Sequence, residues 1–170
     1  MMNTPVRNVS ILALIMVNTI ADQLTKAIAR SHLAYYETTE VIGKHLILTK
    51  IENTGAFLST GDSMSGNIKF LILSLLPLLA LCYGVWWLLD KPTLPPLLVL
   101  GISFVIGGGF GNLCDRIIYG SVTDFIHIDI WWIKTGIFNL ADVSIMAGMI
   151  MILFNLYVKQ TRWDPQPESR

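Results

Sequence analysis

The chain has 170 residues, 53% of them hydrophobic and 14% charged, with a mean hydropathy of +0.58. Soluble domains carry about 25% charged residues, so a soluble globule of this composition would leave apolar surface uncovered, and that surface is expected to face lipid. The 12 basic and 12 acidic side chains cancel, and without a basic stripe to neutralise phosphates nucleic acid is excluded as a partner.

A bilayer core about 30 Å thick takes roughly 20 apolar residues of helix. The first apolar run, Asn8 to Ala21, falls short of that. With Arg7 before it and Thr19-Ile20-Ala21 at its end, it also has the parts of a cleavable signal peptide. Asp22 and Lys26 stand four apart, however, so the helix can continue with a paired charge at its end, and a retained span over about 8–28 is the expectation. A polar loop follows over 30–68, within which His45 to Glu52 is rich in β-branched and apolar residues. Phe70 to Leu89 has no charge and predicts a span over about 69–90. Pro92 to Cys114, ended by Asp115 and Arg116, predicts a third over about 95–116. In the loop 117–137, Ile126, Ile128 and Ile130 alternate with His127 and Asp129, a half-buried strand pattern. The last span, about 138–159, includes Phe138 to Asp142. The expected fold is a membrane all-α protein: four transmembrane helices, one integral domain over 1–170, and a small extracytoplasmic β-rich region where the two loops pair.

Smaller features carry less weight. Cys82 and Cys114 lie in apolar runs and read as buried hydrophobes. Trp86, Trp87, Trp131, Trp132 and Trp163 sit near span ends, as in an aromatic belt. Gly107 and Gly111 have the four-residue spacing of close helix packing in lipid, and no Gly-Lys-Ser/Thr follows that would make a phosphate loop. His127 and Asp129 share a strand face but lack companion ligands, so no metal is expected. The Met146, Met149 and Met151 run reads as lipid-facing or packing surface. Counting Lys and Arg on the two sides favours neither orientation; discounting the long loop leans towards cytoplasmic termini.

Ionisable residues at span edges are expensive and cluster for a reason. Asp22 and Lys26 end the first span, Asn112, Asp115 and Arg116 the third, and Asn139 and Asp142 begin the fourth. With alternating topology all lie at one membrane face, together with Asp124 and with Asn53 of the long loop. Asp22 with Lys26, and Asp115 with Arg116, read as ion pairs that anchor span ends. Two carboxylates brought together share a proton, and such a pair can hydrolyse an amide without metal or nucleophilic side chain. Asp142 alone would pass for a helix cap.

The surrounding motifs resemble those of lipoprotein signal peptidase (signal peptidase II). They are Asp22-Gln23-Leu24-Thr25-Lys26, Asn53-Thr54-Gly55-Ala56-Phe57, Gly107-Gly108-Gly109-Phe110-Gly111-Asn112-Leu113-Cys114-Asp115-Arg116, Gly120-Ser121-Val122-Thr123-Asp124-Phe125 and Phe138-Asn139-Leu140-Ala141-Asp142. The resemblance implies a bacterial inner-membrane aspartyl endopeptidase with cytoplasmic termini and a periplasmic-side site. Its partners would be membrane lipid and diacylglyceryl-modified prolipoproteins, cut before the lipidated cysteine by a cofactor-free monomer. By the same resemblance Asp124 and Asp142 are the catalytic pair. Asn53, Gly108, Asn112, Arg116 and Asn139 bind substrate or support the site, and Asp22, Lys26 and Asp115 are structural. The family commonly continues Gly-Ala-Ala-Phe-Ser after its asparagine, whereas this chain reads Thr54-Gly55-Ala56-Phe57-Leu58-Ser59, which bears on the shape of that loop and on substrate preference. Two alternatives stand beside this reading: a non-catalytic or specialised paralogue that binds lipidated peptides, and a small carrier using the carboxylates as a proton relay.

Overall fold

Four helices long and apolar enough to cross a membrane organise the chain. The computed structural model describes residues 4–55 and 66–161. In chain order the elements are α1 (Thr4–His32), β1 (Thr38–Ile42), β2 (Leu46–Asn53), α2 (Gly66–Asp90), α3 (Pro96–Tyr119), β3 (Val122–Ile130), β4 (Ile133–Lys134) and α4 (Leu140–Thr161).

Local chemistry explains where these elements start, widen and stop. Within α2, Leu71–Leu75 form a π-helical turn just before Pro77. A proline ring collides with the carbonyl four residues back and offers no N–H, and a widened turn is a known way to absorb both. α3 begins at Pro96, where a missing N–H costs nothing. It ends at Gly120, whose φ of 73° is left-handed and whose N–H bonds the Arg116 carbonyl at 3.1 Å. That reversal turns the chain directly into β3, so Asp124 lies four residues beyond the end of a rigid helix. At the opposite end of the bundle, Arg7 of α1 donates to the Leu88 (3.1 Å) and Lys91 (2.9 Å) carbonyls. It thereby satisfies acceptors orphaned at the α2 C-terminus.

The sheet has the order β1-β2-β3-β4, all antiparallel. As the two loop patterns led one to expect, β2 pairs with β3, from Leu46 opposite Ile128 to Asn53 opposite Val122. The burial along β3 does not alternate. Val122 to Phe125 are all buried because α3, α1 and β2 cover them, whereas Ile130 is exposed at the far end. The β3–β4 turn carries Trp131 and Trp132, 80% and 83% exposed and stacked edge-on, with Trp131 at φ 54°.

Helix packing depends on glycine. α3 lies between α1 and α4 and presents a bare face to each. A methyl group on Gly107 would meet Asn18 Cβ at 2.7 Å, and one on Gly111 would meet Asp22 Oδ2 at 2.5 Å, both on α1. On the other face a methyl on Gly108 would run into the Ala141 carbonyl of α4. Backbone cannot step aside as a side-chain tip can. Gly108→Ala should therefore destabilise the protein by about 2 kcal/mol, the usual scale of overpacking. Gly84→Ala, which meets only the mobile Cδ1 of Ile106 at 3.3 Å, should be nearly neutral. Thermal unfolding of the two variants in one detergent checks the contrast.

The two cysteines depart from expectation. Cys82 is exposed on the apolar outer surface of α2 and Cys114 is half-buried; both are free thiols. Helix faces that meet lipid are as apolar as those that meet protein, so hydropathy cannot separate the two. Trp87 packs against the Ile11, Ile15, Leu88 and Ile106 core while Trp86 is exposed. Met146 and Met149 are exposed. Trp163, and the segment Ala56 to Gly61 with its altered motif, lie outside the described residues.

Candidate active site

Asn139 begins the site. It is the residue before α4, and its side-chain Oδ1 accepts the Asp142 N–H at 3.0 Å, while Asp142 Oδ2 accepts the Asn139 N–H at 3.2 Å. This is a reciprocal capping box with aspartate in place of glutamate. Asp142 thus sits in the first turn, where the helix dipole favours negative charge. The next orphan donor, the Ala141 N–H, goes to Asp22 Oδ1 of α1 at 2.9 Å. Because Oδ1 of Asn139 is committed to the cap, its Nδ2 is free to donate, and it does so to Asp124 Oδ1 at 2.6 Å and Asn112 Oδ1 at 3.1 Å. One asparagine therefore touches both carboxylates.

Asn112 of α3 completes the ring, its Nδ2 donating to Asp142 Oδ1 at 2.9 Å. On the opposite side Asn53, at the end of β2, donates to Asp124 Oδ2 at 3.3 Å, and its own Oδ1 accepts the Gly55 N–H at 3.1 Å. Asp124 is 3% exposed. Burial, and after it the charge of Asp142, push its carboxyl up to about 6, against the hydrogen bonds from Asn139 and Asn53. Arg116 lies close enough to feel the charges of both aspartates. Its Nη2 donates to the Gly55 carbonyl at 3.2 Å, and its buried Nε–H has no partner among the described residues.

Beneath the pair runs a second network, built on the fully buried Asp22, Lys26 and Asp115. Lys26 contacts Asp22 at 2.8 Å, Asp115 at 3.3 Å and Asn112 Oδ1 at 2.8 Å. Asp115 does not pair with Arg116, contrary to the sequence reading. Neighbouring residues on a helix point about 100° apart, and Asp115 turns instead to Arg30 at 2.7 Å and to Lys26. Its Oδ2 also accepts the Thr123 N–H at 3.1 Å, pinning the residue before Asp124. Arg30 Nε donates to Thr123 Oγ1 at 2.9 Å, and Glu52 accepts from Thr123 (2.9 Å) and Ser121 (2.6 Å). Gln23 donates to Asp115 at 3.0 Å and to the Gly111 carbonyl at 2.9 Å. Of these, Gln23, Arg30, Glu52, Ser121 and Thr123 were missed as supporting residues. Arg30 had a readable signal, standing four residues after Lys26 and eight after Asp22 on one helix face. The partners of Glu52 lie across a sheet and gave none.

All the nominated residues thus gather at one end of the bundle, formed by the C-terminal ends of α1 and α3, the N-terminus of α4 and the near end of the sheet. Gly108 lies behind them against Ala141. His127 and Asp129 stand apart; Asp129 bonds Lys134 at 2.8 Å, which holds its carboxyl below the usual range. No group of three or more metal-ligating side chains forms among the described residues.

Comparison with known proteins identifies the family and the fold. The family model described as signal peptidase (SPase) II matches residues 14–158. A lipoprotein signal peptidase of Acinetobacter baumannii is 36% identical over 138 residues, 81% of this chain and 77% of that protein. One from Moorella thermoacetica is 33% identical over 146 residues, 86% and 91%. Among solved structures, a bacterial membrane enzyme determined in meso at 2.3 Å superposes with a TM-score of 0.79 at 26% identity, covering 94% of each chain. A second, determined at 1.9 Å, gives 0.74 at 28% identity over 86% of this chain and 92% of the other. The family match takes in the residues of the Asp124–Asp142 site and reaches into all four helices, and the chain belongs to the signal peptidase II family.

Proposed function

We propose that this peptidase is an aspartic endopeptidase that cuts the signal peptide from diacylglyceryl-modified prolipoproteins, before the lipidated cysteine, with Asp124 and Asp142 as its catalytic pair. The observation that carries this reading is Asn139 bonding both carboxylates, through Nδ2 to Asp124 and its backbone N–H to Asp142. Two carboxylates held on one residue, Asp124 buried and Asp142 half-buried, are placed to share a proton.

The chemistry then needs no further group. Asp142, whose two oxygens each accept an N–H, takes a proton from a water as that water's oxygen adds to the scissile carbonyl carbon. Asp124 gives its proton to the carbonyl oxygen, forming a gem-diol. In the second half Asp142 returns its proton to the leaving nitrogen, Asp124 regains one from the diol, and the C–N bond breaks. Arg116, whose Nε–H has no partner among the described residues, and Asn53 border the pair and would meet the peptide backbone on its way in. Val143 and Met146, exposed one and four residues after Asp142, give the site an apolar flank. Along it, acyl chains keep about 0.8 kcal/mol per methylene by never leaving lipid.

In this reading the protein sits in the bacterial inner membrane as a monomer. Both termini are cytoplasmic and the Asp124–Asp142 end is periplasmic. Expression of Asp124→Asn and Asp142→Asn separately in cells lacking their own enzyme tests the whole proposal by gel mobility of a diacylated precursor. Both should leave the precursor uncut; processing at the wild-type rate by either would refute it.

A further inference from the structure

Lys26 stands out because it is buried completely and yet reaches out of its ion cluster. Two of its contacts are the carboxylates Asp22 and Asp115; the third is Asn112 Oδ1 at 2.8 Å. A primary amide can face either way, and only its neighbours decide. An ammonium has donors and no acceptor, so it admits only the oxygen of Asn112. Asn139 Nδ2, itself fixed by the α4 cap, presses the same end at 3.1 Å. The other end of Asn112, Nδ2, must then point at Asp142 Oδ1, where it lies at 2.9 Å.

That direction has a consequence for the proton shared by the pair. An N–H that cannot turn round and faces an Asp142 oxygen favours that oxygen bare over protonated. Its other oxygen faces the Asn139 backbone N–H, which cannot turn either. Asp124 also accepts two N–H bonds, from Asn139 at 2.6 Å and Asn53 at 3.3 Å, the longer of them at Oδ2; but it is buried where Asp142 is half-buried, and burial disfavours the charged form. The proton therefore belongs on Asp124 Oδ2. We infer that Lys26 is a positioning residue of the reaction: through the amide of Asn112 it keeps Asp142 the proton acceptor and leaves the proton to Asp124. The inference rests on the paired-carboxylate reading above and adds to it which member carries the proton and what enforces the choice. Charge on the ammonium also polarises the amide and strengthens its bond to Asp142.

A double-mutant cycle separates this role from simple anchoring. Removing Lys26 alone would strand buried carboxylates, so the first arm is Asp22→Asn with Lys26→Met. This removes one charge of each sign and leaves Asp115 on Arg30. The second arm is Asn112→Ala, and kcat, KM and thermal stability are read on the purified proteins with a diacylglyceryl-modified precursor peptide. The Asp22→Asn/Lys26→Met protein should lose about tenfold or more in kcat with KM within twofold. In the Asn112→Ala background the same replacement should cost less than threefold further. Losses in kcat that multiply across the two arms would overturn the inference. If the double replacement does not fold, Asn112→Asp decides. It keeps, and strengthens, the acceptor for Lys26 but has no N–H for Asp142, so a well-folded protein with kcat at least tenfold down is expected, and wild-type kcat overturns the inference. Asp124→Asn runs alongside: activity there would sink the catalytic pair itself, whereas an inactive Asp124→Asn with multiplying losses sinks only the role of Lys26.

Discussion

Replacing either Asp124 or Asp142 by asparagine should lower kcat by about a thousandfold or more, at the upper end of what one positioned acid or base contributes, with little change in KM. The two replacements together should be hardly worse than one. Groups that act as a unit lose their whole contribution when any member is removed, so their effects do not multiply. An electrostatic or binding role would behave otherwise, with each aspartate contributing its own factor to KM or kcat. Steady-state kinetics of the single and double variants on one precursor distinguish the two patterns. Multiplying losses, or a KM that rises while kcat holds, would count against a shared proton.

Misfolding is not a rival explanation for such a loss. An asparagine side chain in place of Asp142 keeps an oxygen for the Asn139 N–H, and the backbone N–H still reaches Asn139 Oδ1, so the α4 cap survives apart from its charge. The cost of weakening a cap is about 1 kcal/mol, far below the roughly 4 kcal/mol that a thousandfold loss of kcat represents. What the variant loses is the acceptor facing Asn112 Nδ2, and with it the base.

Much of this arrangement could be read before any coordinates. Long charge-free runs announce spans because no other element satisfies its own backbone in lipid, and β2 and β3 were visible as β-branched runs in two loops that topology puts on one side. The pairing of charges was less legible. Asp115 and Arg116 are adjacent in the chain and invited a pair, but helix geometry sends them to different faces, one to the Lys26–Arg30 cluster and one to the Asp124–Asp142 site. Cys82 was misplaced for the related reason that an apolar residue on a span has two equally apolar destinations. Glu52, Ser121 and Thr123 support Asp124 through cross-sheet contacts whose register depends on the irregularity between Leu48 and Ile51, and nothing in the local sequence displays that. A capping role for Asp142 was legible at the start of the last span; that Asn139 caps it in return was not, because the same two residues look catalytic.

Asp124 should also make the protein less stable at neutral pH than it need be. Its carboxyl is raised from 3.8 to about 6, first by burial and then by Asp142, so the folded state holds the proton more tightly than the unfolded chain. The stabilisation from that proton is fully present below about pH 4 and is lost as pH rises through 6. Above that it leaves a penalty of about 3 kcal/mol, taking 1.36 kcal/mol per unit. The neutral amide of the Asp124→Asn protein carries no such penalty, and it still offers an oxygen to Asn139. The variant's apparent melting temperature in detergent at pH 7.5 should exceed wild type by roughly 6–12 °C, given about 2–4 °C per kcal/mol for a chain of this size. At pH 4.5 the gap should shrink to about a third, because folded Asp124 then keeps its proton and the unfolded chain gains little by losing it so near its own pKa. Carboxylates away from the pair titrate alike in both proteins and cancel from the difference. A gap that stays constant between the two pH values, or a variant less stable than wild type at pH 7.5, would mean that Asp124 is not held against its preferred ionisation. The inactive variant being the more stable protein is the outcome expected of a site whose chemistry requires a carboxylate drier than folding alone would place it.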